Sequence, residues 1–599
     1  MPDNPNKLSL FWQELKRRKV FRIIAMYAAT AFIILEAADI ILPRLGLPDW
    51  TITFLIIIII IGFPVAAIVS WIFDITPEGI IKTKLGETEK KNTQAFRPRS
   101  SLFNANNIVI TILFIAVCIL LYPKISGHQI TEETGLESSK SNNLIAVLPF
   151  SNTKSDPETD YLGFAIADQI IGNLVYLNNI TVRSSGSVRK YAKQVIDPTA
   201  AGDSLKVDYV LTGNYLNEAN MIRLNVELVK VHTNELIWRE HIEVDFNSTF
   251  ELQDIVSQKV IEGLNIQFSQ TELDKIGKDV PNNPLAYEYY LRSISYPFTN
   301  EGDRIAIEML KKSIELDSTY APAYAQLGDR THRLAQFGLH DPEETRKSEN
   351  YYLKALSLNE GNIYALANLA QIYTETARIE KAVEFTNQIL EINPNNAEAH
   401  FSLGYIYRYA GMNHEAIQEM EKAISIDPEN PGFRSIVITY QLAGEHEKSF
   451  ESAKNFKQSE YILGEQGAAL FRLGKDIQAV EYFNRSLSMN PDGLQALWVT
   501  GMKAYIEGNI VVGLEAARHF EKVNIADAEA WYHFAGNYGL LGDKVGCIRA
   551  LKRAVDGGFF NYPFMISDSF LDSVRDDEEF QMVLQEAKEK HLAFRKNFF

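Results

Sequence analysis

The stretch PNNAEAHFSLGYIYRYAGMNHEAIQEMEKAISIDP, residues 394–428, decides the fold of the second half of this 599-residue chain. Its apolar residues recur with helical spacing. Gly404 and Ala416 allow two antiparallel helices to pack closely, because facing side chains must be small there, and Pro428 ends the second helix. The stretch therefore predicts a helical hairpin.

The position of Gly404 recurs through the last 320 or so residues at intervals of 34, 42, 34, 63, 34 and 34 residues. The equivalent residues are Ile294, Gly328, Ala370, Gly404, Gly467, Gly501 and Ala535. The interval of 42 contains an insertion around QFGLHDPEET, and the interval of 63 implies a shortened repeat over roughly 430–459. One hairpin cannot bury its apolar stripe alone, so stacked hairpins share a continuous core. Residues 283–599 are thus predicted to form an all-α solenoid of about eight repeats with a C-terminal cap.

The unit at 394–428 resembles a tetratricopeptide (TPR) repeat. The matching residues are His400, Leu403, Gly404, Tyr407, Ala416, Met420, Ala423 and Pro428. This resemblance implies a concave groove that binds a protein or peptide and is lined by fixed positions of each first helix. Those positions fall on Tyr364, Gln371, Thr374, Glu398, Phe401, Tyr405, Arg408, Trp498, Met502 and Tyr505.

Two interpretations of these groove residues stay open. Arg408 and Glu398 are expected to project from the same helix face as Tyr405, so that Arg408→Glu would leave stability nearly unchanged. Alternatively, several of the aromatic residues pack in the core, because core and groove share one helix.

Three apolar stretches near the amino terminus predict transmembrane helices at about 20–42, 51–73 and 104–122. About 20 apolar residues suffice to cross a hydrocarbon core of roughly 30 Å. The second stretch, which ends in FLIIIIIIGFPVAAIVSWIF, is uncharged along its whole length.

The distribution of basic residues predicts the orientation of this anchor, residues 20–122. Lysines and arginines cluster in the basic segment 1–22 and between the second and third stretches, with only Arg44 between the first two. Because positive loops stay inside, the chain is expected in the cytoplasmic (inner) membrane as a multi-pass protein. The domains that follow the linker 123–143 would then lie on the periplasmic side.

Residues 144–268 are predicted to form a separate small α/β domain. LIAVLPF (144–150) is a buried-strand run, and residues 161–177 have helical spacing. MIRLNVELVKV (221–231) alternates apolar and polar residues, and ELIWREHIEVD (235–245) follows a short turn, which indicates a β-hairpin.

The strings that begin IAVLPFSNTKSDPETDYLGF and VDYVLTGNYLNE resemble the TolB amino-terminal-like domain, related to FlgO, of bacterial envelope proteins. FWQELKRRKVFRIIAMYAATAF resembles the membrane anchor of a TPR family often labelled adenylate-cyclase-like, and DGGFFNYPFMISDSFLDSVRDDEEFQMVL resembles that family's terminal cap. The resemblance implies an envelope scaffold. A cyclase or DNA-binding domain would precede the anchor, where about 20 residues leave no room, so neither is expected.

Charge and motifs exclude several other functions. Residues 1–107 contain 13 basic and 9 acidic residues, which leaves 46 and 67 in the rest of the chain, a net charge of −21. Nucleic acid is therefore an improbable ligand. The acidity serves solubility, or a basic peptide or protein partner. No nucleotide-binding loop, zinc motif or nucleophile elbow occurs, so no catalytic residue, metal or cofactor is expected, and Cys547 is interpreted as a packing residue.

Two functional hypotheses follow. In the first, the protein is a non-enzymatic membrane-anchored scaffold that binds a protein or peptide partner in its TPR groove. In the second, it is an envelope sensor in which the α/β domain binds a ligand and signals to a cytoplasmic partner. The sequence leaves the oligomeric state open.

Overall fold

The computed structural model describes residues 143–599, except 193, 195–196, 220, 246–248, 265–278, 336–341 and 524, together with 27, 30, 31, 35, 59, 73–76 and 79–82. Two compact units are present, residues 1–134 and residues 135–599. In the first, strand β1 (Phe73–Thr76) pairs antiparallel with β2 (Gly79–Lys82). The predicted loop that follows residue 73 thus begins with a short hairpin.

The prediction of transmembrane helices, and of the inner-membrane location built on it, is corrected. Within the described part of the chain, no helix has both the length and the apolarity that a bilayer crossing requires. The longest helix of the described residues, Glu578–Phe598, has 21 residues but carries acidic and basic side chains along its whole length. The stretches 20–42, 51–73 and 104–122 lie almost entirely outside the described residues, as do segment 1–22 and linker 123–143.

The described residues of the α/β domain form one sheet, four α-helices and a short 3-10 helix at Arg189–Tyr191. Its strands are β3 (Asn143–Val147), β4 (Ser151–Asn152), β5 (Ile180–Val182), β6 (Tyr209–Glu218), β7 (Met221–Lys230) and β8 (Glu235–Asp245). Its helices are α1 (Leu162–Leu174), α2 (Ser185–Val188), α3 (Pro198–Leu205) and α4 (Thr249–Gly263).

The sheet order is β5-β3-β6-β7-β8, with β4 also paired to β6. β3 runs parallel to β5 and β6, whereas β6, β7 and β8 are antiparallel neighbours. In β7 the apolar side chains of Ile222, Leu224, Val226 and Leu228 are fully buried, because alternate residues of a strand face the same side. The predicted hairpin of β7 and β8 is confirmed.

Eight helical hairpins and a cap follow. The hairpin helices are α5 (Pro284–Ser295), α6 (Asn300–Leu316), α7 (Ala321–Leu334), α8 (Pro342–Leu358), α9 (Ile363–Glu375), α10 (Ile379–Ile392), α11 (Ala397–Ala410), α12 (Asn413–Ile426), α13 (Ile436–Leu442), α14 (His446–Ser452), α15 (Glu460–Arg472), α16 (Asp476–Met489), α17 (Leu494–Glu507), α18 (Ile510–Lys522), α19 (Ala528–Leu540) and α20 (Lys544–Asp556). The cap contains α21 (Tyr562–Met565) and α22 (Glu578–Phe598). The predicted helical solenoid with a small α/β domain is confirmed.

Close packing within a hairpin depends on the small residues that the sequence indicated. A Cβ atom at Gly404 of α11 would lie 2.5 Å from Met420 Cγ and 2.8 Å from the carbonyl oxygen of Ala416. Ala416 and Met420 of α12 are fully buried. The hydrogen at Gly404 therefore lets the two helices approach, as predicted.

Candidate functional site

The ten predicted groove residues do not share one environment. Tyr364, Glu398 and Tyr505 are exposed; Gln371, Phe401 and Tyr405 are half-buried; Thr374, Arg408, Trp498 and Met502 are buried. Only part of the inner face is therefore open, and the structure divides the predicted groove into an open and a closed region.

Arg408 lies at the centre of the closed region. Its guanidinium Nη2 is 2.7 Å from Glu529 Oε2, and Nη1 donates to the carbonyl oxygen of Ser435 at 2.9 Å. The guanidinium also lies 4.5 Å from the ring centroid of Tyr405. Only 1% of the Arg408 surface is exposed, so the expectation that this side chain projects freely into the groove is wrong.

A tyrosine pair extends this network across the groove. Tyr405 Oη donates to Glu375 Oε1 at 3.1 Å, Tyr409 Oη donates to Asp527 Oδ1 at 2.6 Å, and the two hydroxyls are 2.9 Å apart. Burial and the nearby Asp527 raise the pKa of Glu375 to about 8. Burial also raises the pKa of Glu529 to about 7, against the opposing effect of Arg408. Helix α11 is thereby joined to the start of α19.

The C-terminal cap completes the closure. Phe560 N donates to the carbonyl oxygen of Tyr409 at 3.0 Å, and Asn561 Nδ2 donates to that of Arg408 at 2.9 Å. His591 Nδ1 of α22 lies 2.7 Å from the carbonyl oxygen of Ala410. The last residues of the chain therefore pack against the middle of its own array.

The open region begins where the α/β domain packs on the array. Asp427 accepts hydrogen bonds from Ser184 N at 3.1 Å and from Ser187 Oγ at 2.9 Å. Asn393, one 34-residue period earlier, donates through Nδ2 to the carbonyl oxygen of Val175 at 2.8 Å. Residues at the same repeat position thus bind the α/β domain in two successive repeats.

A cavity of about 320 Å³ lies next to these contacts. The α/β domain contributes Asp168 and Gln169 from α1, Ser185 from α2 and Arg189 directly after α2. The array contributes residues from the inner faces of α5, α7, α9 and α11, among them Tyr290, Ile294, Gln326, Arg330, Ile363, Tyr364 and Glu398. Two of the predicted groove residues, Tyr364 and Glu398, therefore meet in one cavity.

The charged groups of the cavity differ in their partners. Arg330 pairs with Asp303 at 2.7 Å, and Arg189 Nη2 donates to the carbonyl oxygen of Ile294 at 3.1 Å. Asp168 accepts from Gln169 at 3.2 Å, whereas the described residues give Glu398 neither a hydrogen bond nor an ion pair. Glu398 is exposed and lines the cavity. The surrounding cavity walls, which disfavour the charged form, and the nearby carboxylates of Asp427 and Asp168 raise the pKa of Glu398 to about 7.

Sequence reasoning missed the contribution of the α/β domain to this cavity. Asp168, Arg189 and Asp427 did not appear among the predicted site residues, because nothing local shows that they face the array. One signal was present: Asp427 precedes Pro428 at the end of the quoted repeat, where an exposed loop carboxylate can contact a neighbouring domain.

The outer surface carries a second periodic feature. Ile477, Val511 and Val545 are 34 residues apart, and each is the second residue of its helix, in α16, α18 and α20. Their exposed fractions are 90%, 70% and 73%. The equivalent residues of α10 and α12, Glu380 and His414, are polar. We call Ile477, Val511 and Val545 the outer ladder.

Possible metal-ligating groups and the cysteine thiol of the described chain bear on enzymatic chemistry. Across residues 143–599, with the gaps given above, no group of three or more His, Cys, Asp or Glu residues is placed to hold a metal ion. Cys547 is fully buried, and burial raises the pKa of its thiol to about 12, so the thiolate form is disfavoured at neutral pH.

Three family models match parts of this chain. Residues 341–403 and 397–430 match tetratricopeptide repeat models. Residues 141–259 match the second domain of HilA/YgeH-like transcriptional regulators. The TPR repeats point to a protein-binding scaffold or adaptor, and the assignment of the α/β domain to a TolB-like domain stays a prediction.

Individual similar proteins match limited parts of this chain. A putative adenylate cyclase 3 of Rhizobium meliloti (strain 1021) is 29% identical over 185 residues, which are 31% of this chain and 32% of that protein. The match thus spans about a third of the relative and does not show a cyclase domain here. The solved structure of PilW, a type IV pilus biogenesis factor, is 15% identical, with a TM-score of 0.30 over 36% of this chain and 97% of that one. A tetratricopeptide repeat protein from Parabacteroides merdae ATCC 43184 is 17% identical, with a TM-score of 0.23 over 51% and 98%.

Proposed function

We propose that this protein is a non-enzymatic adaptor that holds a protein partner on the open region of its inner face, at the cavity lined by Tyr364 and Glu398. The observation that carries the proposal is the unequal accessibility of the groove. Tyr364 and Glu398 are exposed to the cavity, whereas Arg408 is buried in contacts within the chain. A partner that uses the inner face would therefore meet the open region first.

The chemistry of the cavity supports recognition of a polypeptide. Aromatic and aliphatic side chains, such as Tyr364 and Ile363, lie beside carboxylate and amide groups, such as Glu398 and Gln326. Apolar walls with a few polar groups are typical of sites that bind a side chain or a short segment. The α/β domain forms one wall, so its packing against the array would control the shape of the site.

Site-specific photo-crosslinking of the full chain in cells tests the proposal. Tyr364 would be replaced by p-benzoylphenylalanine in one variant, and Val511 of the outer ladder in a matched control. We expect a protein crosslink from position 364 and none of the same mass from position 511. A crosslink from position 511 alone would contradict the proposal, since it would place the partner on the outer ladder.

A further inference from the structure

Glu398 and Glu529 occupy the same position in two different repeats. Each is the second residue of a first helix, α11 or α19, and each is flanked by alanines in the string Ala-Glu-Ala. At such a position the amino-terminal end of the helix favours a carboxylate. The two residues therefore start from the same local structure, and their surroundings can be compared directly.

Their partners differ. The carboxylate of Glu529 pairs with the guanidinium of Arg408 at 2.7 Å, and that guanidinium lies on the ring of Tyr405, 4.5 Å from its centroid. Glu398 has the same carboxylate in the cavity wall, with no hydrogen bond or ion pair from any described residue. At one repeat position, the chain thus contains a carboxylate that is paired with an arginine of the same chain, Glu529, and a carboxylate that is accessible from a cavity, Glu398.

The arginines that line the cavity bind groups other than Glu398. Arg330 is committed to Asp303, with further donation to the carbonyl oxygens of Ser293 and Tyr296 at 3.2 and 3.1 Å. Arg189 donates to the carbonyl oxygen of Ile294, and its guanidinium lies 4.0 Å from the ring centroid of Phe164. A carboxylate without a counter-charge inside a protein cavity favours a cationic ligand.

We infer that the cavity receives an arginine side chain of the partner protein, with its guanidinium paired to Glu398 as Arg408 is paired to Glu529. Guanidinium binds carboxylate through parallel hydrogen bonds and stacks on aromatic rings, which Tyr364 of the same wall supplies. A volume of about 320 Å³ accommodates one such side chain with the adjoining peptide. This inference rests on the proposed adaptor function and specifies what the partner presents.

Calorimetric titration of the purified full chain tests the inference. The probes are acetyl-Gly-Arg-Gly-amide and the same peptide with citrulline, which keeps the shape of arginine but has no charge. We expect the arginine peptide to bind about tenfold or more tightly than the citrulline peptide, because a charge-assisted pair is lost. Equal binding of the two peptides, or no binding of either, would overturn the inference.

Two variants locate the effect. Glu398→Gln should abolish the preference for arginine over citrulline, while Glu391→Gln, an exposed glutamate of α10, should retain it. The melting temperature of Glu398→Gln should be equal to or above that of the unaltered chain, which separates lost binding from misfolding. An unchanged preference in Glu398→Gln would overturn the inference.

The source of the guanidinium is tested with ethylguanidinium. Weaker binding than the arginine peptide supports a partner side chain, and equally tight binding would refute it in favour of a small free guanidine. The adaptor proposal is tested separately, by the crosslink at position 364. Suppose that the crosslink at position 364 persists in Glu398→Gln and that the arginine and citrulline peptides bind equally. The adaptor proposal would then stand, and the inference of a bound arginine would be rejected.

Discussion

The two ends of helix α11 differ in accessibility, although the residues compared were predicted to lie on one helix face. Glu398 in the first turn is accessible from a cavity, whereas Arg408 in the last turn is 1% exposed and ion-paired to Glu529. Both residues were predicted to line a groove from the same repeat pattern. The pattern predicts the helix face on which they lie, but what lies opposite each one depends on distant parts of the chain.

The largest effect on stability is expected at Arg408, in the closed region of the groove. Arg408→Glu should lower the free energy of unfolding by about 3 to 5 kcal/mol, because it breaks a buried ion pair and puts a carboxylate beside Glu529. Urea denaturation followed by circular dichroism measures the change. Arg485→Glu, an exposed arginine of α16, is the control and should change stability by less than about 0.5 kcal/mol. Equal stability of the two variants would restore the exposed Arg408 of the sequence prediction.

A smaller loss is expected where α11 meets α12. Gly404→Ala should cost roughly 1 to 3 kcal/mol, since the added Cβ would lie 2.8 Å from the backbone oxygen of Ala416, which cannot move aside cheaply. Gly172→Ala in α1 is the matched control, because a Cβ there meets nothing within 4 Å. That variant should gain up to about 1 kcal/mol from helix propensity. Thermal unfolding of both variants decides; a loss in both would show that helical glycines are needed for another reason.

A buried carboxylate elsewhere on the inner face predicts a pH-dependent effect. Burial raises the pKa of Glu465 from 4.5 to about 8, and the residue is 3% exposed. Between these values the folded state binds more protons than the unfolded state, so this group lowers stability as pH rises from about 4.5 to 8. Glu465→Gln should therefore match the unaltered chain near pH 4.5 and exceed it by about 1 to 3 kcal/mol at pH 8. A difference that shrinks as pH rises would contradict the shift.

The smallest effect is expected on the outer surface. Val511→Lys should change the free energy of unfolding by less than about 0.5 kcal/mol, because 70% of the Val511 surface is exposed in the folded chain. Denaturation in urea is again the measurement. A loss above about 1 kcal/mol would mean that the outer ladder is part of the packed core, and the contrast between the inner and outer faces would need revision.

Much of the array could be predicted because its information is local. The 34-residue period and the small residues at Gly404 and Ala416 reflect contacts within one hairpin, and the alternation in residues 221–231 reflects one strand. The membrane prediction failed for the described chain, where helices such as Glu578–Phe598 carry charge along their length. The groove assignment did not show which of its residues are covered, because a position on a helix does not reveal which other part of the chain packs against it.

By itself, the sequence determined the helical hairpins, their stacking and the hairpin of β7 and β8, because these depend on side chains a few residues apart. Tertiary structure decided which inner residues are open. Arg408 and Glu529 are 121 residues apart, and Asp427 lies 240 residues from Ser187. The first contact depends on small rotations summed over several repeats, and the second depends on how the α/β domain packs against the array. No single repeat contains that sum, so the cavity beside Glu398 exists only in the folded chain.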